Sequence, residues 1–170
     1  PQSGANEVAI ADEFYRRLCR GRLEPVLRTI RTAHERGIHL ELTNLLVTGQ
    51  NDSEDDIQAV VDFVAELDPS IPLHFSRYYP AHKMSDPPTS ADSLRLAKRI
   101  GEAKLKYVYL GNAASMGGSD SRCPECDALL VQRSGYSIRV IRRSPSSAAR
   151  PASRYVSSRP VPWGVQIGSR

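Results

Sequence analysis

The chain has 170 residues, enough for one ordinary domain with a core of its own. Its formal net charge is +4, but residues 128–170 hold eight Arg and no acid, while residues 1–127 hold every Asp and Glu. The basicity therefore belongs to a Ser-, Arg- and Pro-rich tail, which argues against a nucleic-acid-binding face on the fold; no apolar run is long enough to span a membrane.

The first residue is Pro1, and no basic segment followed by an apolar one opens the chain, so it reads as a piece of a longer protein without a secretory signal. Residues 12–20 read as a short helix. A second helix starts near Glu24, with Pro25 at its first position. Val26, Leu27, Ile30 and Ala33 repeat at helical spacing, and Gly37 supplies the stop. From Ile38 to Thr43 apolar and polar residues alternate, and Leu45–Val47 extend the apolar run, which predicts a strand. Residues 49–52 (GQND) form a turn. Its N–H groups offer a place for a phosphate or carboxylate, although Gly, Asn and Asp are also what plain turns use.

Ser53 with Asp56 resembles a capping box. The helix behind it carries Ile57, Val60, Val61 and Val64 on one face and must stop before Pro69. Leu73–Tyr79 reads as the next strand, 80–89 as a Pro-rich loop, 90–103 as a helix and Tyr107–Leu110 as a strand ending at Gly111. Regular alternation of helix and strand predicts parallel strands with helices packed outside. In such folds the site lies beyond the C-terminal strand ends. Thr43, Asn44, Arg77, Tyr78, Tyr79 and Asn112 are therefore expected together there, with Leu40, Leu42, Leu45 and Val47 in the first strand. Tyr78, Tyr79, His82 and Lys83 form an aromatic and basic cluster that suits an adenine and a carboxylate or phosphate, or simply packs its loop down. His34, His39 and His74 fall away from that face.

The three cysteines are Cys19, Cys123 and Cys126. An odd count without a secretory signal points to a reducing compartment, the cytoplasm, rather than to a disulfide framework. Cys123-Pro124-Glu125-Cys126 has the spacing of half a zinc site. No second Cys pair follows it, so the readings are a degenerate zinc knuckle, a site completed by a partner chain, or a metal-free hairpin built from Leu129–Val131 and Ser137–Ile141. From Ser144 onward little can be buried, and disorder is expected. The domains expected are 1–112, an arc of parallel strands with helices; 113–143, a zinc-ribbon-like knuckle; and 144–170, a basic tail.

Seven runs in order carry a resemblance: residues 12–27 (DEFYRRLCRGRLEPVL), 37–43 (GIHLELT), 49–53 (GQNDS), 74–80 (HFSRYYP), Lys83-Met84, 107–112 (YVYLGN) and 123–126 (CPEC). Together they closely resemble the AmmeMemoRadiSam radical-SAM proteins, relatives of pyruvate formate-lyase activating enzymes. The resemblance implies a partial (β/α) barrel and a [4Fe–4S] cluster held by C-x₃-C-x₂-C. S-adenosylmethionine (SAM) on that cluster would be cleaved to a 5′-deoxyadenosyl radical. By position, Asn44, Arg77, Tyr78 and Tyr79 match strand ends that face SAM in similar enzymes. The sequence departs from the family where Asn6 is followed by Glu7-Val8-Ala9-Ile10, and it holds no cysteine triad. This chain alone is therefore expected to be inactive. The resemblance leaves the substrate unassigned, a protein being one option. The competing readings are a non-enzymatic interaction module built on the knuckle, and an unrelated (β/α) phosphate-binding enzyme. An open arc of strands is also expected to be marginal and to self-associate through its edges.

Overall fold

The computed structural model describes residues 12–134 and 137–141. The element order is α1 (Leu23–Glu35), β1 (Leu42–Leu46), α2 (Glu54–Leu67), β2 (Leu73–Arg77), α3 (Ala91–Glu102) and β3 (Val108–Gly111), followed by β4 (Ser121–Arg122), β5 (Leu129–Ser134) and β6 (Ser137–Val140). β1, β2 and β3 form a parallel sheet in sequence order, and β4, β5 and β6 a smaller antiparallel one. The fold is α/β, as the alternation predicts. The expected disordered tail and the Gly135 turn lie outside the described residues.

Each strand of the parallel sheet is added on the same side of the one before. Right-handed crossovers then place α2 and α3 on one face. Both helices build the same core there. Ile57, Val61 and Val64 of α2 and Leu94, Ala97 and Ile100 of α3 meet Leu46, Leu73, Phe75, Val108 and Leu110 of the strands. Phe75 is fully buried at the centre. Its ring and Val108 reach α3 so closely that a Cβ on Gly101 would stand 3.0 Å from the Val108 methyl groups and 3.5 Å from the Phe75 ring.

The Ser53 cap forms as read, and Ser90 caps α3 in the same way. The Ser53 hydroxyl accepts from the Asp56 N–H at 3.2 Å, and Ser90 accepts from the Ser93 N–H at 2.9 Å. Gly37, at φ +68°, ends α1, with the Ile38 N–H returning to the Ala33 carbonyl at 3.0 Å.

Four expectations need correction. The helix expected over 12–20 is α-helical only at 12–14 and widens to a π-helix over Tyr15–Cys19. The strand expected from Ile38 begins at Leu42, whose N–H bonds to the Pro72 carbonyl at 2.9 Å. Its partner β2 starts only after Pro72, so residues 38–41 have no ladder to join. The strand expected to reach Tyr79 ends at Arg77, because the Tyr78 N–H turns to the Thr89 hydroxyl at 2.8 Å. Finally, α1 buries only Leu23, and Val26 stays 36% exposed. The apolar repeat read at Val26 and Ile30 lies outside the core cluster, whose helical residues come from α2 and α3.

Candidate functional site

Parallel strands send their C-terminal ends to one rim, and register levels them here. Leu46 lies beside Arg77, and Ser76 beside Gly111. One residue ties this rim together. Thr89 is fully buried, and its hydroxyl donates to the Leu46 carbonyl at 2.5 Å while accepting from the Tyr78 N–H at 2.8 Å. Its backbone N–H bonds to the Tyr78 carbonyl at 3.2 Å, and its own carbonyl accepts from Arg77 Nε at 2.9 Å. Nothing in the sequence marks this threonine beyond its place just before the helix cap Ser90.

Arg77, Tyr79 and Asn112 meet on the rim. The Arg77 guanidinium lies 5.1 Å from the Tyr79 ring centroid. The Tyr79 hydroxyl donates to the Asn112 carbonyl at 3.4 Å. The Asn112 amide in turn donates to Ser76 Oγ at 3.3 Å and to the Arg77 carbonyl at 3.4 Å. Asn112 adopts φ +54°, which Asn tolerates better than most side chains. Tyr79 is 52% exposed, so its ring and the cation beside it offer an open stacking surface.

Three residues expected on this face, Thr43, Asn44 and Tyr78, are placed otherwise, Thr43 being the second residue of β1. Tyr78 is buried at 5% exposure, with no hydrogen-bond partner for its hydroxyl among the described residues. Asn44 stands in the middle of β1, not at its end. By alternation it shares the helix-covered side with buried Leu46, and its Oδ1 is likewise buried without a partner among the described residues. β1 runs on to Leu46, close to the end expected from the Leu45–Val47 run, so Asn44 lies two residues short of the rim. In the loop, His82 and Lys83 are exposed, and His82 adopts φ +54°.

The sheet face opposite the helices carries Thr43, Leu45, His74, Ser76, Tyr109 and Gly111. Leu45 is 45% exposed on it. A polar row crosses this face. Glu41 contacts His39 Nε2 at 3.4 Å and His74 Nε2 at 3.2 Å. The His74 ring packs against Tyr109 at 5.0 Å between centroids, and Tyr109 OH bonds to Ser121 Oγ at 2.8 Å. Arg133 lies 5.7 Å from the Tyr109 ring and donates to the same Ser121 oxygen at 2.8 Å. Through Tyr109 the small sheet is thus joined to the large one. The Leu110 N–H also bonds to the Gly118 carbonyl at 3.0 Å, which occupies the outer edge of β3. The outer edge of β1 pairs with no strand among the described residues.

The turn at 49–52 uses its own side chains. Asn51 Oδ1 accepts from the Val47 N–H at 2.7 Å, and Asp52 accepts from the Gly49 N–H at 2.7 Å and from the Ser93 hydroxyl at 2.9 Å. The Gly49 N–H is thus taken by Asp52, and those of Gln50 and Asn51 by the Val47 carbonyl, so the geometry is that of an ordinary turn.

The knuckle lies between β4 and β5. The Cys123 N–H donates to the Ala128 carbonyl, and the Asp127 N–H donates to the Cys123 carbonyl, both at 2.8 Å. Backbone N–H groups of Glu125 and Cys126, and then the Cys126 thiol, hydrogen-bond the Cys123 sulfur and hold its pKa below the ordinary thiol value. Cys123 is half-buried and Cys126 exposed. A cleft of about 560 Å³ opens beside them, lined by Lys98, Tyr107, Tyr109, Asp120 and the two cysteines among others. Among the described residues, no three of His, Cys, Asp and Glu gather to hold a metal ion. Cys19, exposed in the π-helical segment, joins no such group. No helix among the described residues is long and apolar enough to cross a membrane.

Comparison with curated proteins finds similarity to the uncharacterized protein MJ0808 of Methanocaldococcus jannaschii. The two are 42% identical over 132 residues, which covers 76% of this chain and 40% of that protein. The chain therefore spans less than half the length of the curated relative it matches. No family model matches the chain, and no solved structure matches it.

Proposed function

We propose that these residues are the C-terminal part of a radical-SAM (β/α) barrel, with the rim around Arg77, Tyr79 and Asn112 facing the adenosyl moiety or the substrate. The observation that carries this reading is the winding of the sheet. Its strands run in sequence order, its described crossover helices share one core, and its other face carries a polar row. A doubly wound sheet would put helices on both faces, whereas a barrel puts them all outside. The inner face of a barrel arc is then the face that carries Thr43, His74 and Tyr109. Within this reading Arg77 and Tyr79 supply a cationic and aromatic surface, and Thr89 and Asn112 hold that surface in place. The reading places the protein in the cytoplasm, where thiols stay reduced. The substrate is unassigned.

The residues present do not fit an iron–sulfur cluster. A radical-SAM cluster takes three thiolates from one loop by the family resemblance, and thiolates are the usual cluster ligands. The cysteines here stand at 19, 123 and 126, with only the last two adjacent. No chemical step is therefore assigned to this chain alone.

The test is a chimera in which this chain replaces the matching 132-residue stretch of the Methanocaldococcus jannaschii relative. After anaerobic reconstitution with iron and sulfide, parent and chimera should both yield 5′-deoxyadenosine from SAM under reduction, at rates within about tenfold, roughly 1.4 kcal/mol of barrel fit. This chain reconstituted alone should yield none. A parent that binds a cluster but leaves SAM intact would overturn the reading, and so would production by the isolated chain.

A further inference from the structure

We propose that Cys123 and Cys126 are a reversible dithiol–disulfide pair, closed by exchange with a small disulfide such as oxidised glutathione. The backbone holds the two residues at bonding range. The Asp127 N–H donates to the Cys123 carbonyl at 2.8 Å and closes a turn over residues 123–127. The Cys123 N–H donates to the Ala128 carbonyl, also at 2.8 Å, and pins the base of that turn. A turn closed by the N–H four residues on, wound like one turn of helix, leaves Cα atoms three residues apart separated by about 5 Å. Disulfides bridge Cα atoms about 4.4–6.8 Å apart. Pro124 stiffens the turn by fixing its own φ. The Cys126 thiol also hydrogen-bonds the Cys123 sulfur, so the two side chains turn toward each other.

Both residues are open to a reagent. Cys126 is exposed and Cys123 half-buried, and both line the cleft of about 560 Å³. Cys19 is exposed as well, but it belongs to the π-helical segment Tyr15–Cys19 and shares no turn with the pair.

The exchange balances. One thiolate of the pair attacks a sulfur of oxidised glutathione, whose S–S bond breaks, giving a mixed disulfide and one glutathione thiolate. The other thiolate of the pair then attacks the protein sulfur of that mixed disulfide, forming the Cys123–Cys126 bond and releasing the second glutathione. The pair loses two electrons, the glutathione disulfide gains them, and the protons of the pair pass to the released glutathione thiolates. In a reducing compartment such a bond is transient, as redox-sensing disulfides are. The inference does not depend on the barrel reading.

The test uses the 170-residue chain, reduced and chelated, equilibrated without oxygen in graded mixtures of reduced and oxidised glutathione. Free thiols are trapped with N-ethylmaleimide and the chain is digested with trypsin. Cleavage after Arg122 and Arg133 puts both cysteines on one peptide and Cys19 on another. As oxidised glutathione rises, the 123–133 peptide should escape the maleimide and lose the mass of two hydrogen atoms, and dithiothreitol should reverse this. Half-conversion should come at an oxidised-to-reduced ratio about tenfold lower than for the same chain unfolded in urea. Cys126→Ser should stop at the mixed disulfide, while Cys19→Ser should leave the transition unchanged. Equal ratios for the folded and unfolded chain would overturn the proposal. So would mixed disulfides accumulating in the unaltered chain, or a bond from either residue to Cys19. The comparison of folded and unfolded chain needs no variant, so the answer does not rest on how a variant folds.

Discussion

Replacing Thr89 with valine should cost about 2–4 kcal/mol of stability, because it leaves two buried backbone groups without partners. The Leu46 carbonyl loses its donor and the Tyr78 N–H loses its acceptor. Valine matches threonine in shape, so packing is retained and the loss isolates the hydrogen bonds. Thr89→Ser keeps the oxygen and removes one methyl group, which is worth about 0.8 kcal/mol. Urea unfolding followed by circular dichroism should therefore rank the wild type first, serine close behind and valine far below. Equal losses for serine and valine would show that the methyl group, not the hydroxyl, holds the rim.

A second large effect is expected at the core. Phe75→Ala should remove about 3–5 kcal/mol, the usual cost of deleting a fully buried ring and leaving its cavity. Phe75 is completely buried and its ring touches the strand–helix contact at Gly101. Small domains hold only about 5–15 kcal/mol in all, and among the described residues helices cover this sheet on one face. The variant should therefore lose near-ultraviolet circular dichroism at 25 °C, while Phe75→Leu retains it. A Phe75→Ala chain with a native spectrum would mean that the core lies elsewhere.

The α/β alternation, the Ser53 cap and the parallel order are legible because each rests on local chemistry: Ser53 as a cap, Gly37 as a stop, and Ile57, Val61 and Val64 at helical spacing. What failed were the strand limits, which depend on a neighbour. β1 begins only where Pro72 gives it a partner, while its end at Leu46 leaves Asn44 in mid-strand, short of the rim. Tyr78 and Tyr79 look alike in sequence, yet one turns inward and the other out, because Thr89 captures the backbone at Tyr78. Thr89 itself was invisible, since a threonine in a Pro-rich loop gives no signal of burial. The spacing of the knuckle left a zinc pair and a metal-free hairpin both open, and among the described residues no third ligand gathers with it.

The central claim is that these strands are an arc of a larger closed sheet. Parallel sheets are normally covered on both faces. Here Leu45 is 45% exposed on the face opposite the helices, and the outer edge of β1 pairs with no strand among the described residues. Exposed parallel edges recruit other chains. Static light scattering of the chelated 170-residue chain across micromolar concentrations tests this most directly. The account predicts a molar mass above the 18.8 kDa monomer that falls on dilution. A mass fixed at the monomer value at every concentration would show a self-sufficient domain and contradict it.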